Sequence, residues 1–144
     1  MVQLWQEYGV FLEISMNHSG FTLFSTVPST DPFSFYESGE IRYKDVINAL
    51  NFRAKDVSLA TGIPQQSVRY DDRIPGVLKV RIREWATLLT LVAEHFDGDG
   101  EKTYQWFTLP NPLLGNVSPR DMIRAGNYEN LYKYVMNALS GNLP

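Results

Sequence analysis

Six side chains between Lys55 and Arg73 have the chemistry of a nucleic-acid reader: Lys55, Gln65, Gln66, Ser67, Arg69 and Arg73. The amides of Gln65 and Gln66 match the donor and acceptor pair of an adenine edge, and the Arg69 guanidinium matches guanine. Lys55 and Arg73 suit phosphate, and Ser67, between Gln66 and Arg69, is a further candidate contact. All six fall in a basic window. Ile41 to Arg83 holds nine Lys or Arg against four Asp or Glu, nine minus four giving +5, while the remainder has four against twelve, or −8. A basic middle in an acidic chain points to a nucleic-acid face joined to something else, although a solvated helical surface carries the same charges. Asp71 and Asp72 would be repelled by phosphate, which favours a helical hairpin that only packs.

Other chemistry is poorly represented. "DGDGE" places Asp97, Asp99 and Glu101 at the first, third and fifth positions of a calcium loop. Its sixth position is Lys102 where glycine is needed, and its twelfth is Thr108 where glutamate is needed, so it reads as a polar turn. His18 and His95 stand apart from any acid or nucleophile. The chain has no cysteine, which excludes disulfides and thiolate metal sites and fits a reducing cytoplasm. With no catalytic constellation, an enzyme is not expected, nor is a cofactor or a metal.

The elements that would position these residues follow from periodicity. Over 8–27, Val10, Leu12 and Ile14, then Phe21, Leu23 and Val27, alternate around "MNHSG", which predicts a hairpin. "VPSTDPFSFYESGE" reads as an irregular linker. From Tyr43 the period becomes helical, with Val46, Ile47 and Leu50 on one face. Val57 and Ala60 then belong to a short helix ended by Gly62, and Pro64 opens a second helix with Val68 inward. Together they predict a helix-turn-helix. "VLKVRIREWATLLTLVAEHF" carries one stripe, Leu78, Ile82, Trp85, Leu89, Val92 and Phe96, and should be the central pillar.

"PNPLLGNVSPRDMIRAG" is heavily punctuated. Asn111 caps a turn begun by Pro112 and ended by Gly115. Ser118 caps a helix begun by Pro119, with Asp121 as a box-like partner, and Gly126 ends it. Asn127 caps a last helix with Leu131, Val135, Ala138 and Leu139 inward. Trp106, just upstream, anchors the turn.

Trp106, Asn111, Pro112, Leu114, Gly115, Pro119 and Gly126 together resemble the toxin-binding domain of the Xre/MbcA/ParS antitoxins, and the similarity extends over about residues 43 to 141. The resemblance implies a mainly α fold, with an Xre-like helix-turn-helix over 41–76 and a helical toxin-binding domain over 77–144; residues 1–40, which hold the expected hairpin and the linker, form an N-terminal extension that the resemblance does not cover. It implies a cytoplasmic antitoxin, commonly a homodimer, that neutralises a cognate toxin and represses their shared operon by binding operator DNA. The toxin is often of the RES type, which depletes NAD. The motif residues then shape the fold, while Arg120, Arg124, Tyr128, Tyr132, Lys133 and the end "SGNLP" are the expected toxin contacts. The other reading is a stand-alone helix-turn-helix regulator whose C-terminal half only dimerises. The opening stretch does not read as a signal peptide, and no apolar run nears the roughly 20 residues of a membrane span.

Overall fold

The computed structural model describes residues 30–141; the hairpin expected over 8–27 lies outside them, as do the last three residues of the tail. The described chain is mainly helical. Its helices are α1 (Tyr43–Leu50), α2 (Ala54–Thr61), α3 (Gly76–His95), α4 (Gly100–Thr108), α5 (Pro119–Arg124) and α6 (Tyr128–Leu139). Two short strands, β1 (Tyr36–Glu37) and β2 (Glu40–Ile41), precede them.

The pillar forms as its stripe predicts. Leu78, Ile82, Trp85, Leu89 and Val92 are all buried along α3, and so is Phe96 at its C-terminal cap. Burying such side chains contributes roughly 1.5–3 kcal/mol each, which makes this helix the largest local source of stability. Phe52 meets Trp85 edge-on, with ring centroids 5.7 Å apart. One continuous cluster of buried residues extends from Phe35 to Leu139, so the basic stretch and the C-terminal helices share a core. Trp106 is fully buried beside Phe107, with the rings perpendicular at 5.0 Å.

The stretch read as a linker is ordered. The Asp31 carboxylate accepts from the backbone N–H of Phe35 at 2.8 Å and of Tyr36 at 3.0 Å. This local turn drives Phe35 into the core. Tyr36 and Glu37 pair with Ile41 and Glu40 in an antiparallel hairpin. Its two turn residues, Ser38 and Gly39, both have positive φ, the geometry that matches the twist of a tight hairpin. Thr30 ties the start to the pillar, its N–H and hydroxyl both donating to Glu94.

The second helix expected from Pro64 does not propagate. Gln65–Ser67 make a single 3₁₀ turn, and Val68 is extended at φ −75, ψ 112. Two forces oppose a helix here. Ile63, Val68 and Tyr70 all pack against the core, an arrangement an extended chain achieves. Pro75 disfavours helical backbone at the residue before it. Asp71 closes the loop by accepting from the Arg73 N–H at 3.0 Å, and Lys44 lies 5.0 Å over the Tyr70 ring.

Candidate functional site

The nucleic-acid candidates end up on the outer edge of this loop. Lys55 on α2, Gln65 and Gln66 on the 3₁₀ turn, and Arg69 and Arg73 beyond it are exposed, while Ser67 is half-buried. No helix presents the two amides and Arg69 as one face. Arg69 is also engaged: its Nε donates to Asp71 at 2.8 Å and its terminal nitrogen at 2.5 Å, a bidentate pair. That bond raises the Arg69 pKa and holds the Asp71 carboxyl below its ordinary value. Asp71 thus acts less by repelling phosphate than by occupying the guanidinium that would read guanine. Arg53, Lys55 and Arg73 have no ion-pair partner among the described residues.

The punctuated stretch folds as its local signals predict. Asn111, with no exposed surface, accepts from the Leu113 N–H through its side chain at 2.9 Å. Its carbonyl accepts from Leu114 and Asn116, and its N–H donates to Val117, closing the turn. The side chain also lies beside the Tyr134 hydroxyl on α6, where it opposes the rise in phenol pKa that burial causes. Pro112 opens the turn, and Gly115 ends it at φ 72. Leu114 packs on the core. Ser118 accepts from the Asp121 N–H at 3.1 Å, and Pro119 is buried at the first position of α5. Gly126 ends α5 at φ +84, a left-handed conformation that favours glycine. Asn127 occupies the cap position of α6 but makes no side-chain cap bond. The Asp121 carboxylate pairs with Arg124 at 2.8 Å.

The expected toxin contacts divide. Arg124 reaches both Asp121 and, at 3.6 Å, Asp56 on α2, so it clamps two elements together while its tip stays accessible. Tyr128 is engaged within the chain: its hydroxyl donates to the Glu84 carbonyl at 3.0 Å. Burial pushes its phenol well above the ordinary value, with Glu84 adding to the effect. Its ring stacks on Tyr132 at 6.0 Å. Lys133 is exposed, and Arg120 is partly so.

Two surface grooves result. One, of about 470 Å³, lies between α3 and α6 and is lined by Val80, Arg83, Glu84, Thr87, Tyr128, Glu129 and Tyr132. The other, of about 440 Å³, is lined by Leu59, Val117, Asp121, Arg124 and Ala125. Leu59 is 61% exposed, Leu113 43% and Val117 41%. None of the three stood out as a site residue in the sequence. Leu59 had a legible signal: with Val57 and Ala60 inward, helical spacing turns it outward.

The polar turn at 97–101 behaves as a helix start, with Asp99 accepting from the Lys102 N–H at 3.1 Å. Among the described residues no group of His, Asp or Glu is placed to hold a metal ion. His95 is mostly buried, and loss of hydration lowers its pKa to about 3. Among the described residues no helix is long and apolar enough to cross a membrane. No protein-family model matches this chain, and no curated protein or solved structure is similar to it.

Proposed function

We propose that the chain is a cytoplasmic antitoxin that neutralises a cognate protein toxin through its C-terminal half, at the groove formed by α2, the turn ending at Val117, and α5. The observation that carries this reading is the solvent exposure of Leu59 and Val117 on the two sides of one groove, with Leu113 projecting from the same turn. Asn111 bonds the turn's backbone at Leu113, Leu114, Asn116 and Val117, so these side chains are held in place and lose little entropy when covered. Arg124, clamped between two carboxylates, adds a fixed polar mark beside the aliphatic pair. The resemblance of the same turn to the antitoxin domain supplies the class of partner, an RES-type enzyme that depletes NAD.

On this reading the chain also touches operator DNA, through phosphate contacts from Arg53, Lys55 and Arg73. The stand-alone regulator is the weaker reading, because Gln65–Ser67 form a 3₁₀ turn where base reading calls for a helix in the groove. The test is co-expression with the product of the adjacent reading frame. The full chain should restore growth, and a folded Leu59→Asp, Val117→Asp variant should not. An adjacent product that is neither toxic nor bound by this chain refutes the proposal.

A further inference from the structure

The two halves of α3 differ. Leu88 to Ala93 are all buried in the second half, whereas Val77, Lys79, Val80, Arg81 and Arg83 are exposed in the first. Val77 is 56% exposed and Val80 51%. One helical turn apart, the two valines form a short apolar crest opposite the buried Leu78, Ile82 and Trp85. Lys79 and Arg83, also one turn apart, flank the crest on one side, and Arg81 flanks it on the other.

The charge on this face selects an occupant. Residues 73–83 hold four Lys or Arg and no Asp or Glu. Arg81 pairs with Glu84 at 2.6 Å, but Arg73, Lys79 and Arg83 have no ion-pair partner among the described residues. Lys79 lies in the first turn of α3 with no acid beside it, where a cation opposes the helix dipole. Helix stability therefore does not account for it, and an anionic partner does. Two valines among four cations are a poor core for a protein interface, which is depleted in charge. Nor does the face carry the Leu, Phe or Trp that seats a helix in a lipid surface. The DNA major groove fits it. That groove admits one α-helix, cations on the two rims meet phosphates, and a crest of short side chains lets the helix approach the base edges, where valine methyl groups match the thymine methyl. Glu129, across the groove that Val80 and Arg83 line, bounds the basic face.

We propose that the exposed face of the first half of α3, rather than the loop before it, is the base-reading element of the chain. Val77 and Val80 contact thymine methyl groups, while Lys79 and Arg83 hold phosphates beside them. The inference rests on the operator-DNA reading above and names the helix which that reading lacked. The test is fluorescence anisotropy of the full chain on two duplexes, one from upstream of its own reading frame and one of the same composition in scrambled order. The wild type should prefer the first. Val77→Ala, Val80→Ala should cut that preference roughly tenfold and leave affinity for the scrambled duplex unchanged. Lys79→Gln, Arg83→Gln should weaken both duplexes alike and reduce the slope of log affinity against log salt by about 1.8. All four positions are at the surface, and far-UV circular dichroism checks that each variant is folded. A wild type that binds neither duplex at low salt, or binds only vesicles of anionic phospholipid, overturns the DNA reading and this inference together. Equal affinity for the two duplexes overturns the inference alone. So does a preference that survives the valine changes, or one lost instead in Gln65→Ala, Gln66→Ala.

Discussion

Asn111→Ala tests whether one buried amide organises the punctuated turn. The residue has no exposed surface, and its side-chain oxygen caps the turn at Leu113. Losing a cap of this type costs about 1 kcal/mol. The same change leaves an amide-sized gap beside the half-buried Tyr134 hydroxyl. A gap of that size at a fully buried site costs roughly another 1–2 kcal/mol. The sum, about 2–3 kcal/mol, corresponds to a fall in Tm of roughly 4–12 °C for a chain of this size. The fold should survive, because the backbone bonds of Asn111 to Leu114, Asn116 and Val117 do not need its side chain. Thermal unfolding followed by circular dichroism, paired with urea titration at unchanged m, measures the loss. A fall of less than about 1 °C would refute the reasoning, since a cap and a buried amide cannot both be lost so cheaply.

Three further outcomes are expected. Trp106→Ala, at a fully buried ring, should destabilise by roughly 3–5 kcal/mol; a shift of a degree or two would show that the ring is not packed. The unfolded His95 imidazole protonates near pH 6.5 while the folded one stays neutral to about 3, so the unfolded state holds more protons in between and stability falls as pH drops through that window. The His95 contribution approaches about 1.4 kcal/mol per pH unit, and His95→Gln should flatten the profile between about pH 6 and 5, where carboxylates remain ionised. Asp71→Asn should release Arg69, and the slope of log affinity for duplex DNA against log salt should steepen by roughly 0.9 in fluorescence anisotropy.

What the sequence made legible was local or strongly periodic. The α3 stripe spans five helical turns, and each of its six positions is buried. The caps at Asn111 and Ser118 each bond a backbone N–H no more than three residues on, so residue type and spacing specify them. The failures involve distant partners. Tyr128 finds Glu84, 44 positions away, and Arg124 finds Asp56 on another helix. The expected helix after Pro64 loses to the packing of Val68 and Tyr70 against a core built by other elements. Asp71 reads as a repulsive charge in sequence and becomes the Arg69 partner once the chain bends. The hairpin at 36–41 did carry a signal, Ser-Gly at its turn, but strands of two residues are too short for alternation to register. Phe35 enters the core through the Asp31 turn, which has no period at all.

The central claim, a toxin-binding surface at Leu59 and Val117, is tested most directly by calorimetric titration of the adjacent gene product with the wild-type chain and with Leu59→Asp, Val117→Asp. Burying two carboxylates where two aliphatic anchors should sit is expected to cost about 3–4 kcal/mol, roughly a 100- to 1,000-fold loss of affinity, with unfolding temperatures unchanged. Equal affinity for the two proteins would contradict the claim.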